Sequence, residues 1–290
     1  MALHIQTFKT RTFTAIIFLI VMLAGLLLNK WSFLVLFCFI HFGCWFEYQK
    51  IMSLILPAYK ITIPINNYAI IFLGFGFMLW MTNDAFTIGT IKLNHVGFFL
   101  MLINVSAFIF SVVFYKLYRD VKIILALLIG FIYISVSCGL MLNMRVTGLV
   151  PGSMFSLDFG LILPLLIITS IWVNDTMAYI VGSLIGKTPF SSISPKKTWE
   201  GTIGGVILAV VVITICGFIF FRADVMQLIL ITAVACIAGI VGDLFESKLK
   251  RLANIKDSGN IMPGHGGFLD RFDSMLMAII FVWLYMKLFL

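Results

Sequence analysis

Four aspartates in apolar or glycine-rich surroundings are the residues in this sequence best suited to chemistry. Asp175 and Asp243 lie inside long apolar runs, and Asp270 and Asp273 lie three residues apart at the start of the last run. Charged side chains are costly within a membrane and are usually functional there. Carboxylates from several segments suit Mg²⁺, which takes oxygen ligands from protein, water and substrate phosphates. We therefore expect a magnesium site built from these aspartates.

Basic side chains accompany the aspartates in two polar loops, at 186–201 and around 250–274. Seven of them can supply charge to a polyphosphate: Lys187, Lys196, Lys197, Lys250, Arg251, Lys256 and Arg271. The run PGHGG at 263–267 provides a backbone that can approach a phosphate closely. Carboxylates, lysines and glycines together indicate phosphoryl or nucleotidyl transfer at a membrane surface.

Long apolar segments must position these residues. The chain is 62% hydrophobic and 11% charged, with a mean hydropathy of +1.12, which is typical of a polytopic membrane protein. Helices are expected, because backbone groups in lipid must be bonded within their own segment. The prediction is an all-α membrane protein with about nine transmembrane helices and a polar catalytic cavity near the cytoplasmic boundary. The predicted spans are 13–29, 31–47, 67–82, 96–115, 122–142, 159–182, 202–221, 226–246 and 273–290.

The basic residues predict an orientation and a division of the chain. With a cytoplasmic N-terminus, fifteen of the twenty Lys and Arg residues fall on the cytoplasmic side, as the positive-inside rule requires. Topology therefore accounts for the net charge of +8, and no nucleic-acid partner is expected. The predicted parts are a cytoplasmic tail at 1–12, N-terminal transmembrane helices at 13–157, and a catalytic region at 158–290 with cytoplasmic loops at 186–201 and 247–273. Residues 47–60 are interpreted as an interfacial segment with little chemistry.

Spacing places the aspartates at similar depth. Asp175 and Asp243 each lie sixteen residues past the outer start of a span, roughly 24 Å into the membrane. Asp243, Ser247 and Lys250 share one helical face. The structural alternative is a set of Asp–Lys and Asp–Arg pairs that hold helices together. Carboxylates in spans could also relay protons in an ion-coupled transporter, although a relay does not need two lysine-rich loops.

Three stretches resemble a known enzyme family. SKLKRLANIKDSGNIMPGHGGFLDRFDS at 247–274 closely resembles the C-terminal signature of phosphatidate cytidylyltransferases, also called CDP-diacylglycerol synthases. DTMAYIVGSLIGKTP and SPKKTWEGTIGG resemble two further motifs of that family. The motifs cover about residues 175–274, whereas the N-terminal half resembles the family only as a run of apolar helices.

The resemblance implies that CTP and phosphatidic acid react to give CDP-diacylglycerol and pyrophosphate. It also implies Mg²⁺, a second cation such as K⁺, membrane lipids as surroundings, a homodimer, and a place in the cell (inner) membrane. Carried over by position, the metal ligands are Asp243, Asp270 and Asp273, and the other catalytic residues are Lys250, Arg251 and Asp175. The substrate-binding positions are Lys187, Ser194, Lys196, Lys197, Thr198, Glu200, Ser247, Lys256, Asp257, Gly264, His265, Gly266, Gly267 and Arg271.

One other enzyme class and two non-enzyme classes compete with this interpretation. A polyprenol or phytol kinase would also use CTP at a membrane, but its C-terminal signature is shorter and different. An ion-coupled transporter would move a solute without turning over CTP. A structural scaffold would leave the aspartates unexplained.

Overall fold

The structure is a computed structural model that describes residues 5–61, 64–114, 120–147, 159–259 and 266–290. Almost all of the described chain is helical. α6 and α7 are joined by a π-helical turn at Phe131–Val136, and a 3₁₀ turn covers Asn83–Ala85. The helices are α1 (Ile5–Leu27), α2 (Lys30–Ile55), α3 (Pro57–Ile61), α4 (Pro64–Trp80), α5 (Leu93–Phe114), α6 (Val121–Gly130), α7 (Ser137–Thr147), α8 (Phe159–Ile185), α9 (Trp199–Phe221), α10 (Val225–Leu252) and α11 (Leu269–Phe289).

Within the described residues, seven helical stretches are long and apolar enough to cross a membrane, which confirms an integral membrane protein built from helices. They are α2, α5, α8, α9, α10, α11 and the continuous stretch Val121–Thr147. The first and third predicted spans correspond to the shorter apolar stretches Thr12–Leu27 and Tyr68–Trp80. The predicted total of nine transmembrane helices therefore stays a prediction.

A small β-hairpin departs from the all-α prediction. β1 (Thr87–Ile88) pairs antiparallel with β2 (Ile91–Lys92) in the connection between α4 and α5. Gly89 lies in the turn with φ +61°, a conformation that glycine adopts without steric cost. Lys92 Nζ lies 2.7 Å from Asp84 Oδ2, and Asn94 Nδ2 donates to Asp84 Oδ1 at 2.9 Å. Local polar bonds thus fold a segment that hydropathy alone describes only as a loop.

The chain forms two compact units, and the predicted division near residue 157 stays a prediction. Unit 1 comprises Met1–Val146 and Leu249–Phe272, and unit 2 comprises Thr147–Lys248 and Asp273–Leu290. The segment 249–272 thus belongs with the N-terminal helices. The reason is physical, because Ser258 and the start of α11 hydrogen-bond to Glu47 on α2.

In unit 1, helix α2 is buried along much of its length. Asn29 caps its N-terminus by accepting from the backbone N–H groups of Trp31 and Ser32. Further along, Trp45 Nε1 donates to Ser135 Oγ at 2.8 Å, and His41 Nε2 lies 3.0 Å from the same hydroxyl. These bonds tie α2 to the π-helical turn and hold the helix that carries Glu47.

In unit 2, small residues allow close helix packing. A β-carbon on Gly205 would lie 2.7 Å from Ala178 Cβ, and one on Gly201 would lie 2.8 Å from the Ala178 carbonyl oxygen. Gly201 and Gly205 are four residues apart, the small-residue spacing that lets membrane helices approach each other. α10 and α11 meet in a similar way, since a β-carbon on Gly242 would lie 2.5 Å from the Asp273 carbonyl oxygen.

Candidate active site

The loop between α8 and α9 carries Lys196 and Lys197 and is closed by its own hydrogen bonds. Phe190 N donates to the Lys197 carbonyl at 2.8 Å, and Trp199 N donates to the Thr188 carbonyl at 3.0 Å. Glu200, in the first turn of α9, accepts from Thr188 Oγ1 at 2.8 Å. The loop is therefore held across its base rather than only at its two ends.

Thr198 and Glu200, both predicted to bind substrate, have intramolecular partners in the structure. Thr198 is the N-cap of α9, and its hydroxyl accepts from Gly201 N at 3.2 Å. Glu200 also accepts from the backbone N–H groups of Lys187 and Thr188 at 3.1 to 3.2 Å. These bonds show that Thr198 and Glu200 both stabilise the loop that carries Lys196 and Lys197.

The loop brings Lys197 to Asp243 on α10. The Lys197 ammonium forms an ion pair with Asp243 Oδ2, and Ser247 Oγ lies 3.5 Å from Asp243 Oδ1. The two paired side chains are 38% and 20% exposed, so water and solutes can reach the pair. The predicted shared face of Asp243 and Ser247 is confirmed by this contact.

The two other candidate site aspartates of unit 2, Asp175 and Asp273, lie on α8 and α11. Asp273 is 8% exposed, and its Oδ1 accepts from Ser274 N at 2.6 Å. Its backbone contacts Gly242, the residue before Asp243, where α10 and α11 meet. Asp175 accepts from Asn174 Nδ2 at 3.3 Å and interacts electrostatically with Lys197. Unit 2 therefore pairs Lys197 with Asp243 and places Asp175 within electrostatic range of the same lysine.

In unit 1, Asp270 is enclosed by donors. Lys250 Nζ lies 2.5 Å from Asp270 Oδ1, and the two side chains are only 14% and 8% exposed. Asp270 Oδ2 accepts from Gly267 N at 2.7 Å and from Ser258 N at 3.0 Å. Gly266 has φ +87°, and a β-carbon there would lie 2.9 Å from Asp270 Oδ2. Gly266 and Gly267 were predicted to let the backbone approach a phosphate, and in the structure they lie close to the Asp270 carboxylate.

Sequence reasoning missed Glu47, which lies in the segment interpreted as chemically unimportant. Glu47 is 1% exposed. Its Oε2 accepts from Ser258 Oγ at 2.5 Å and from Leu269 N at 2.8 Å, and its Oε1 accepts from Phe268 N at 2.8 Å. The signal was available, since a carboxylate at the end of the second apolar run meets the same criterion that singled out Asp175.

The remaining predicted residues are mostly at the surface. Gly264 and His265 lie outside the described residues. Ser194 accepts through its carbonyl from Lys197 N at 3.1 Å, inside the loop. The exposed side chains are those of Lys187, Lys196, Arg251, Lys256, Asp257 and Arg271. The five basic side chains of this set leave positive charge facing solvent, as polyanion binding requires.

Both paired aspartates offer the hard oxygen atoms that Mg²⁺ prefers. At Asp243 the neutralising cation is a flexible, partly exposed lysine, which can give way to a metal ion without breaking a buried bond. The donor set therefore fits magnesium. Among the described residues, no group of three or more His, Cys, Asp and Glu side chains is arranged to hold a metal ion. The three-aspartate metal site accordingly stays a prediction.

A cavity of about 580 Å³ in unit 1 is lined by α1, α2, Phe268 and Phe272. Its lining is almost entirely apolar, so it suits hydrocarbon rather than a triphosphate. It therefore differs from the predicted polar catalytic cavity, for which the aspartate clusters remain the candidates.

Comparison with known proteins adds an independent line of evidence. A family model described as the cytidylyltransferase family matches residues 9–289. The phosphatidate cytidylyltransferase of Staphylococcus haemolyticus is 48% identical over 111 residues, covering 38% of this chain and 43% of that protein. Those of Bacillus subtilis and Helicobacter pylori J99 are 46% and 41% identical over 121 residues, covering 41% and 42% of this chain. The aligned segments span 45% and 46% of those two proteins, so less than half of each relative is matched.

Proposed function

This chain belongs to the cytidylyltransferase family, and we propose that it transfers CMP from CTP to phosphatidic acid. The products are CDP-diacylglycerol and pyrophosphate, which makes the reaction a step of phospholipid biosynthesis. The observation that carries the proposal is the partly exposed Lys197–Asp243 pair at the base of a lysine-bearing loop. A carboxylate beside a mobile ammonium is suited to a site that exchanges polyanions and cations.

The reaction needs little covalent help from the protein. A phosphate oxygen of phosphatidic acid attacks the α-phosphorus of CTP, and the bond from that phosphorus to the bridging β-oxygen breaks. The attacking phosphomonoester is already largely a dianion at pH 7, since its second pKa is about 6. The obstacle is repulsion between two polyanions, which preorganised positive charge lowers.

The basic side chains have separate parts in this proposal. Lys196 and Lys197 meet the phosphates of CTP, because lysine is a flexible point charge suited to a ligand that arrives and leaves. Lys250 holds the Asp270 carboxylate, as its 2.5 Å contact indicates. Arg251, Lys256 and Arg271 are exposed and contribute to attraction of the anionic substrates.

Asp243, Asp270 and Asp273 are the proposed ligands for Mg²⁺. When bound, the ion neutralises phosphate charge and orients the reacting groups. The carboxylates supply the negative charge that would hold the ion, and Lys197 and Lys250 pair with two of them, Asp243 and Asp270. A second cation such as K⁺ and a homodimer belong to the same proposal and rest on the family resemblance.

The proposed orientation places the protein in a cell membrane, with the N-terminus and the loops at 186–201 and 247–273 on the cytoplasmic side. The distribution of Lys and Arg supports this orientation. Single cysteines at the exposed positions Ser192 and Asn83 can test it on intact cells. A membrane-impermeant thiol reagent should label Asn83→Cys and spare Ser192→Cys, in a background where the exposed Cys216 is replaced. The reverse pattern would contradict the orientation.

The proposed activity is tested with the purified protein in detergent micelles, supplied with CTP and phosphatidic acid. We expect a lipid product whose mass is that of CDP-diacylglycerol, formed with Mg²⁺ and lost on chelation. The Asp243→Asn variant is the matched control for contaminating activity. No such product from folded protein, with both substrates and Mg²⁺ present, would refute the proposed function.

A further inference from the structure

We infer that Glu47, from the second helix of the chain, is a positioning residue that fixes the Asp270 carboxylate for cation binding. The inference rests on the proposed function for its catalytic consequence, but its geometry stands by itself. Glu47 touches none of the proposed substrates. It acts through the backbone that surrounds Asp270.

The first observation is that Glu47 caps a helix from another part of the chain. α11 begins at Leu269, and the first N–H groups of a helix lack partners within the helix. Glu47 accepts from Phe268 N and Leu269 N, both at 2.8 Å. An ionised carboxylate at a helix N-terminus also interacts favourably with the helix dipole. Glu47 therefore determines where α11 starts, one residue before Asp270.

The second observation is that Glu47 and Asp270 both accept hydrogen bonds from the same two parts of the chain, Ser258 and residues 267–269. Ser258 donates through Oγ to Glu47 at 2.5 Å and through its backbone N to Asp270 at 3.0 Å. Likewise, Leu269 N donates to Glu47 at 2.8 Å, and Gly267 N donates to Asp270 at 2.7 Å. Displacing Glu47 would therefore loosen the donors that orient Asp270.

The third observation is that no side chain larger than hydrogen fits at two positions around this contact. A β-carbon on Gly259 would collide with Glu47 Oε1, and a β-carbon on Gly267 would collide with Ser258 Oγ. The backbone thus approaches the carboxylate as closely as it can. Such contacts use charge-assisted hydrogen bonds, which are shorter and stronger than neutral ones.

Glu47 is itself held by a rigid element. Its neighbour Tyr48 donates through its hydroxyl to the Ala126 carbonyl at 2.7 Å, and Trp45 donates to Ser135. Helix α2 is therefore held in place, and the Glu47 carboxylate holds the start of α11 against it through hydrogen bonds. Partners of this kind, one step from a metal ligand, typically change metal affinity or activity by about 10- to 100-fold when removed.

The decisive variant is Glu47→Gln, which keeps the size of the side chain and removes its charge. One of its two terminal atoms becomes an NH₂ group, which cannot accept from a backbone N–H. Ser258→Ala is the milder variant, since it removes one donor and leaves both backbone contacts. Asp224→Asn is the matched control, because Asp224 caps α10 by accepting from Gln227 N at 2.9 Å and is exposed.

Two measurements are made on each purified, folded variant. The first is hydrogen exchange of the backbone amides of 266–270, read by mass spectrometry. The second is Mn²⁺ binding followed by electron paramagnetic resonance, together with kcat, the KM for CTP, and the Mg²⁺ concentration that gives half of the maximal rate.

For Glu47→Gln we expect faster exchange at 266–270, Mn²⁺ binding weakened about tenfold, and kcat lowered by a similar factor with little change in KM for CTP. Ser258→Ala should change the same quantities in the same direction but less, and Asp224→Asn should change none of them.

Unchanged exchange in Glu47→Gln would overturn the proposed anchor. Faster exchange with wild-type Mn²⁺ binding and kcat would reduce Glu47 to a structural cap and overturn the positioning role. If Glu47→Gln does not fold, Ser258→Ala decides by the same criteria. If the wild-type protein transfers no CMP, the proposed function fails, and exchange together with Mn²⁺ binding still decides the role of Glu47.

Discussion

The Lys197–Asp243 and Lys250–Asp270 pairs join the same residue types but are held in different ways. In the first pair the side chains are 38% and 20% exposed, and the lysine comes from a loop. In the second pair they are 14% and 8% exposed, and two backbone N–H groups also bind the aspartate. An exposed ion pair exchanges readily with solutes, whereas a buried one is costly to break. On the proposed function, Lys197 is therefore suited to exchange with substrate, and Asp270 is suited to fixed geometry.

This difference also addresses the structural alternative raised by the sequence, in which Asp–Lys pairs merely hold helices together. Lys250–Asp270 has the burial that such a role requires. Lys197–Asp243 does not, because exposed ion pairs contribute little to stability, about 0 to 1 kcal/mol. A residue pair that is partly exposed and weakly stabilising at the base of a polar loop is better explained by binding.

The largest effect is expected from the three aspartates themselves. Asp243→Asn, Asp270→Asn and Asp273→Asn should each lower turnover at least about a hundredfold, since one lost preorganised charge costs on the order of 3 kcal/mol in the barrier. Turnover is measured on variants whose circular dichroism and elution match the wild type. A folded variant with near-normal turnover would remove that aspartate from the site.

The next largest effect is expected on stability, which should fall by different amounts when the lysine of each pair is replaced. Lys250→Met leaves Asp270 buried without its cation and should destabilise the protein by about 3 kcal/mol. Lys197→Met should cost less than about 1 kcal/mol, since Asp243 can be solvated. Thermal unfolding of both variants in the same detergent measures the difference. Equal losses of stability in the two variants would contradict the distinction between a fixed pair and an exchangeable pair.

Substrate kinetics should then distinguish the lysine loop from the carboxylates. We expect Lys197→Ala to lower kcat/KM for CTP about tenfold, about 1.4 kcal/mol, while the Mg²⁺ dependence stays similar. Asp270→Asn should instead shift the Mg²⁺ requirement. Both variants are compared against CTP, phosphatidic acid and Mg²⁺. Wild-type behaviour of Lys197→Ala on all three would make the loop a membrane or topology anchor.

A smaller effect is expected at the base of the loop. Glu200→Gln weakens the bonds to the backbone of Lys187 and Thr188 and should lower kcat/KM about threefold, as for one ordinary hydrogen bond. Thr188→Val removes one donor to the same carboxylate. In the double variant the two losses should not add, because the residues share one interaction. Fully additive losses would show that Glu200 acts through something other than this contact.

The smallest effect is expected at Asp84 in the β-hairpin. Hydrogen bonds from Lys92 and then Asn94 hold the pKa of the Asp84 carboxyl below its usual range. Its contribution to stability is therefore present above the unfolded pKa, about 3.9, and is lost as pH falls through the lower folded value. Asp84→Asn should leave turnover at pH 7 unchanged and flatten only the acid side of the stability profile. A loss of turnover at pH 7 would tie this hairpin to catalysis.

Local spacing was enough to predict most of the helices and the pairing of Asp243 with Ser247, because a helix places residues four apart on one face. The family resemblance then selected Asp243, Asp270 and Asp273. The position of Glu47 at the end of an apolar run could have singled it out, but neither spacing nor resemblance could reveal its partners Ser258 and Phe268, which are 211 and 221 residues away in sequence.

Hydropathy also could not predict the two short structured segments, the β-hairpin and the closed loop before α9. The hairpin at 87–92 depends on a positive φ at Gly89 and on the polar bonds of Asp84. The closed loop before α9 depends on Glu200 reaching back to Thr188, twelve residues earlier. Both depend on specific side-chain hydrogen bonds, which a pattern of apolar residues does not record.

The most direct test of the proposed reaction follows the phosphorus atoms of CTP. CTP labelled with ³²P at the α-position or at the γ-position is incubated with the purified protein, phosphatidic acid and Mg²⁺, and the lipid fraction is counted. CMP transfer predicts label in lipid from α-labelled CTP and label in pyrophosphate from γ-labelled CTP. Label in lipid from γ-labelled CTP instead would identify a lipid kinase and contradict CMP transfer.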